Sequence, residues 1–167
     1  MINDISGLHD DLKMAEIAAN AKVPIIVGAH NIERFKGKPT ELVISALKAS
    51  IDMATKAGVK LENIIVDPDI GFHRNTEYYW YQVDSHVLMN LRNIISEFNR
   101  PICIGVSRKS FIGHLLEIKD PNDRFSGSLG ATCLGVLHGA NIIRTHDVKG
   151  TKESIRIIEA IKKQADL

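Results

Sequence analysis

The chain has 167 residues, 44% of them hydrophobic, enough apolar side chain for a sizeable core but short of the about 250 residues of a full (β/α)8 barrel. Lysine and arginine number 21 against 20 acidic residues, a formal net charge of +1, so no bulk basic surface marks nucleic acid or an anionic membrane as a partner. Cys103 and Cys133 lack the number and spacing of a disulfide framework or zinc site and read as buried free thiols; no apolar run approaches the about 18 residues of a membrane span and the N-terminus is polar, which predicts a cytoplasmic protein.

In chain order, a strand stub at residues 3–5 precedes a predicted helix at 11–21, a strand at 23–27, a helix at 41–57 and a strand at 63–66. A helix at 85–98, a strand at 102–106, a helix at 124–138, a strand at 141–144 and a helix at 152–164 complete the order. Val43, Ala46, Leu47, Met53 and Ala54 recur at helical spacing, as do Val87, Leu91, Ile94, Ile95 and Phe98, so each of these helices has one stripe to lay on a sheet. The strands are almost wholly apolar, as expected of strands covered on both faces. Thr40 and Thr151 are placed to cap helix starts, and Gly58 and Gly139 to end helices in the left-handed conformation. The alternation predicts a parallel α/β sheet in a single domain, 1–167. Periodicity and length by themselves predict a five-stranded, doubly wound open sheet.

The chemistry gathers at strand ends, where parallel α/β folds build their sites. Gly105-Val106-Ser107-Arg108-Lys109-Ser110-Phe111-Ile112-Gly113 brings an arginine, a lysine and two hydroxyls to the end of the 102–106 strand. The start of a helix or turn there adds unpaired N–H groups, and the combination implies an anionic ligand. Arg144 and His146, two residues apart at the next strand end, are expected to point the same way, one a planar fork for phosphate oxygens and the other an N–H donor. A histidine bonded only to a backbone carbonyl is the alternative. Asp67 emerges from the apolar Ile64-Ile65-Val66 run and either caps a turn at Pro68 or accepts hydrogen bonds from a ligand. Asn3 offers a donor and an acceptor from one side chain, or makes an ordinary Asn-Asp turn. Arg108 either faces the ligand or bridges to Asp120 or Asp123. The remaining histidines show no metal-ligand spacing on a shared helix face.

Ile2-Asn3-Asp4-Ile5-Ser6-Gly7, Asp67-Pro68 with Ile70-Gly71-Phe72, Ser107-Arg108-Lys109-Ser110, and Arg144 with His146-Asp147 stand in an order and spacing that resembles dihydropteroate synthase. The resemblance runs through essentially the whole chain and matches the later part of that family's (β/α)8 barrel, about strands four to eight. It therefore implies a partial barrel in place of the open sheet. Five strands of such a barrel are expected to leave two unpaired parallel edges and an inner face lined by Ile25, Ile65, Ile104 and neighbours. A homo-oligomer, or a chain supplying the preceding strands, would cover them.

By the same resemblance, Asn3, Asp67, Phe72, Gly105 and Lys109 are expected to bind a pterin, Ser110 to lie beside the carboxylate of p-aminobenzoate, and Arg144 and His146 to hold a diphosphate, with Mg2+ as companion ion. Lys109, Arg144 and His146 would be the catalytic groups. The implied reaction joins p-aminobenzoate to (7,8-dihydropterin-6-yl)methyl diphosphate, giving 7,8-dihydropteroate and diphosphate, and the chain by itself is expected to turn over little. A pterin-binding methyltransferase and an inactive binding or assembly module are the alternatives. Gly28-Ala29-His30-Asn31 stands where the family commonly has Met-His-Met, Asp69 replaces a common glycine, and His73-Arg74 replaces a common Gly-Lys pair. The aromatic segment Thr76-Glu77-Tyr78-Tyr79-Trp80-Tyr81 is lengthened and is expected to be a lid, a partner surface or packing over the barrel end.

Overall fold

The computed structural model describes residues 1–165. Five parallel strands, β1 (Ile2–Asp4), β2 (Ile25–Gly28), β3 (Ile64–Asp67), β4 (Cys103–Ile104) and β5 (Ile142–Ile143), alternate with helices. The helices are α1 (Lys13–Ala21), α2 (Pro39–Lys56), α3 (Trp80–Met89), α4 (Leu91–Phe98), α5 (Ser110–Leu115), α6 (Phe125–Leu137) and α7 (Val148–Ala165). β1, β2 and β3 pair in sequence order, β4 pairs with β5, and a parallel bridge from Val66 to Ile102 joins the two sets. Each strand therefore lies beside the one before it, and the sheet winds in a single direction. A doubly wound sheet reverses direction at a switch point, so that expectation is overturned. The fold is an arc of a TIM barrel.

Local chemistry explains most of the boundaries. Pro39 opens α2 with its fixed φ, while the Glu41 carboxylate accepts the Lys38 N–H at 2.9 Å. Thr40 is thus inside the first turn, buried with its hydroxyl unpartnered, and does not cap the helix. Thr151 is likewise inside α7, which begins a turn earlier than expected because Asp147 Oδ1 accepts the Gly150 N–H at 2.8 Å. Gly58 and Gly139 do turn left-handed, at φ +92° and +102°. The single helix expected at 85–98 is two: Asn90, at φ −103° and ψ 22°, breaks it between α3 and α4, and its side-chain amide donates to the His86 carbonyl.

Two apolar layers follow from strand alternation. Ile25, Val27, Ile64, Val66, Ile102 and Ile104 face outward into the main core with the helices, where Val43, Ala46, Leu47, Ala54, Val87, Leu91 and Ile94 are buried against them. Each such Ile or Val contributes about 2 kcal/mol of transfer free energy. Ile26, Ile65, Cys103 and Ile142 form a separate inner cluster. Of the expected inner residues only Ile65 is there; Ile25 and Ile104 belong to the outer face. Cys103 is buried as expected, whereas Cys133 is only half-buried. Among the described residues no helix is long and apolar enough to cross a membrane.

Candidate functional site at the strand ends

Alternation places a second inward layer two residues beyond the first. Asp67 follows Ile65, Gly28 follows Ile26 and pairs with Asp67, Gly105 follows Cys103, and Arg144 follows Ile142. Asn3 pairs with Ile26 and faces the same interior. The layer above a small apolar floor is therefore polar and lies at the C-terminal ends of the strands. Two of its members are glycines. A Cβ on Gly105 would stand 2.8 Å from Arg144 Nη2, so bare backbone there lets the guanidinium lie across β4.

Asp67 is 2% exposed, and its Oδ2 lies 2.8 Å from Arg144 Nη1. The Nη1 hydrogen bond itself runs to Asn3 Oδ1 at 2.9 Å, leaving Asp67 Oδ2 without a linear hydrogen bond, so we read the Asp67 contact as a close ion pair. Burial pushes the Asp67 carboxyl upward and Arg144 offsets part of that rise. Beside it Asp69, also buried, is held well above the usual carboxylate range, first by burial and then by the charge of Asp67. Burial raises the Cys103 thiol to about 12.

The loop after β3 carries the rest. Asp67 Oδ1 accepts the Asp69 N–H at 2.9 Å, Asp84 Oδ1 from α3 accepts the Gly71 N–H at 2.7 Å, and the His73 ring meets the Pro68 carbonyl at 2.8 Å. Asp84 is fully buried, which raises it to about 6. Gly71, at φ +92°, has no side chain where the Lys109 stem lies, and Lys109 Nζ sits 3.5 Å above the Phe72 ring. Burial, then Arg144, pulls the Lys109 amine downward. Arg74 donates to the Gly71 carbonyl and to Ser110 Oγ at 2.9 Å while its guanidinium covers Trp80, so the aromatic segment packs over this loop. Tyr81 packs against His114 with ring centroids 4.0 Å apart and the rings tilted by 33°.

Asn3, Asp67, Gly105, Lys109 and Arg144 thus gather in one cluster at the strand ends, with Phe72 against Lys109 and Ser110 at the start of α5. His146 has other company: its exposed ring lies 3.0 Å from Ser107 Oγ, while Arg144 turns inward to Asp67. Arg108, left-handed at φ +60°, is held outside the pocket by Asn122 at 2.8 Å, in place of the expected Asp120 or Asp123. Asp84 and Arg74 went unnoticed in the sequence as supports of the site. No sequence signal distinguishes Asp84 from a solvated helix acid; Arg74 showed only as a retained positive charge.

A buried acid paired with an arginine over an apolar floor, flanked by a lysine and hydroxyls at the strand ends of a barrel, defines a small-molecule site of the kind barrel enzymes carry. A family described as "Pterin binding enzyme" matches residues 1–146, and the chain belongs to it. The dihydropteroate synthase of Bacillus subtilis (strain 168) is 37% identical over 161 residues, covering 96% of this chain and 54% of that protein. Among solved structures, a dihydropteroate synthase of Coxiella burnetii in complex with pteroic acid is 34% identical with a TM-score of 0.81, covering 95% of this chain and 59% of the other. The dihydropteroate synthase of Xanthomonas albilineans in complex with 7,8-dihydropteroate is 27% identical with a TM-score of 0.86, covering 97% of this chain and 59% of the other. The chain spans about half the length of the curated relatives it matches.

Proposed function

We propose that this chain serves dihydropteroate synthesis, binding a pterin methyl diphosphate and p-aminobenzoate in the strand-end pocket. The observation that carries the reading is the inward layer itself: one acceptor carboxylate, Asp67, with Asn3, Lys109 and Arg144 around it. A carboxylate suits the amino and ring N–H groups of a pterin, Asn3 suits a mixed donor and acceptor edge, and Lys109 suits a carbonyl or ring nitrogen. Ser110, at the first position of α5, would meet the carboxylate of p-aminobenzoate.

In the reaction the amine nitrogen attacks the methylene carbon, the bond to the diphosphate oxygen breaks with its electrons, and the amine loses a proton. No residue need act as nucleophile. Arg144 and His146 would neutralise charge as it develops on the departing diphosphate, and Lys109 would fix the ring. Mg2+ belongs to the reading only as a companion of that diphosphate. Among the described residues no three His, Cys, Asp or Glu side chains gather at one point, so these residues do not form a metal site of their own. The free thiols Cys103 and Cys133 accord with action in the cytoplasm.

We include self-association in this reading. An apolar groove of about 460 Å³ between α3, α5 and α6, lined by Leu88, Met89, Leu115, Leu116 and Leu134, leaves Met89, Leu115 and Leu116 more than half exposed. Light scattering should report a dimer or larger; a monodisperse monomer at all concentrations removes this part. The core reading is tested by calorimetric titration with a pterin. Saturable binding that Asp67→Asn weakens supports it, and absence of binding refutes it.

A further inference from the structure

Asp69 is a buried carboxyl to which the family resemblance gives no role, and its setting is unusual. It is 2% exposed, and its Oδ1 has no hydrogen-bond partner. Its backbone is left-handed at φ +52°, a conformation that costs a non-glycine residue about 1 kcal/mol. The side chain makes no hydrogen bond that would offset this. Gly28 is what admits it: a Cβ at that position would run into the Asp69 carboxyl, so the missing side chain on β2 and the added carboxyl after β3 occupy one space on the inward face. The Asp69 N–H donates to Asp67 Oδ1, which sets the two carboxyls side by side from a single turn.

The charged groups facing Asp69 are Asp67 from β3, Arg144 beyond β5, Lys109 before α5 and Asp4 from β1. Arg144 is committed to Asp67 and Asn3. Burial and the neighbouring Asp67 charge both favour the protonated form of Asp69, an O–H group whose Oδ1 side has no partner. A pyrimidine ring bearing a 2-amino and a 4-oxo group presents two N–H donors and then a ring-nitrogen acceptor along one edge. We propose that Asp69 is a second ligand-reading residue of the pocket, donating to the ring-nitrogen acceptor of that edge while Asp67 accepts from its two N–H groups. The inference rests on the pterin reading above. Binding would satisfy a buried polar group that is otherwise orphaned.

Calorimetric titration of the chain with pterin, between about pH 6 and 9, tests this on three variants. Asp69→Asn keeps a neutral donor and should bind like the unaltered chain at neutral pH. Asp69→Gly loses the donor and should bind at least about tenfold more weakly; glycine relaxes the left-handed backbone, so loss of folding is not the cause. As pH rises the unaltered chain should lose affinity relative to Asp69→Asn, the ligand's own ionisation being common to both. Unweakened binding by Asp69→Gly, while Asp67→Asn weakens it, overturns the role of Asp69 and leaves the pterin reading standing. No binding by the unaltered chain overturns both.

Discussion

Arg144 Nη1 stands 2.8 Å from Asp67 Oδ2 and donates to Asn3 Oδ1 at 2.9 Å, so residues proposed for two different ligands are each other's partners. On the proposed reading, a pterin that claims the Asp67 carboxylate would compete with the guanidinium, and a displaced guanidinium would be free to take an anion. On that reading the two subsites would thereby be coupled through one side chain.

The first expected outcome concerns the members of that pair. Asp67→Asn turns one acceptor toward the ligand into a donor and should weaken pterin binding by more than about 1 kcal/mol. Arg144→Ala removes both a competitor for Asp67 and its positive neighbour, effects that oppose, so pterin binding should change less than about threefold while diphosphate binding falls at least about tenfold. Equal losses for both ligands in both variants would show that the subsites are not separate.

The second concerns Asp84, whose carboxyl is raised to about 6 by burial. A carboxyl raised in the folded state costs stability as pH rises from its ordinary value through the raised one, and the cost is complete at neutral pH. Asp84→Asn keeps an acceptor for the Gly71 N–H and removes the buried charge, so it should stabilise the chain at neutral pH by on the order of 1–2 kcal/mol in urea unfolding. Destabilisation would mean that the Arg74 contact at 3.8 Å outweighs desolvation.

The third concerns His73, lowered to about 4 by burial, with its ring on the Pro68 carbonyl. Its neutral form is favoured in the fold, so its stabilisation is present above about pH 6.5 and is lost as pH falls towards the lowered value. Asp84, Asp67 and Asp69 act with the opposite sign over the same window. Stability should therefore not fall on mild acidification, His73→Gln should gain more there than the unaltered chain, and Asp84→Asn should gain less. Parallel curves for the three proteins would contradict this assignment of protons.

Asp67, Gly105, Lys109 and Arg144 were legible because each stands at the end of an apolar run, and a strand end fixes where a side chain emerges. The inner-face residues were not. Strands of two to four residues, apolar on both faces, carry no alternation from which to choose between Ile25 and Ile26 or Ile104 and Cys103. Asn90 was hidden because the stripe from Val87 to Ile94 runs across the break without a change of spacing. The Arg144–Asp67 pair joins residues 77 positions apart. Only the curvature of the arc, which no local pattern encodes, brings them together.

The most direct measurement is the affinity of the chain for pterin with and without saturating diphosphate. If the pterin takes Asp67 and the anion takes the released Arg144, diphosphate should tighten pterin binding by about tenfold, and Arg144→Ala should abolish that gain. Pterin affinity indifferent to diphosphate, or a gain that survives in Arg144→Ala, would contradict the coupling of the two subsites through Arg144.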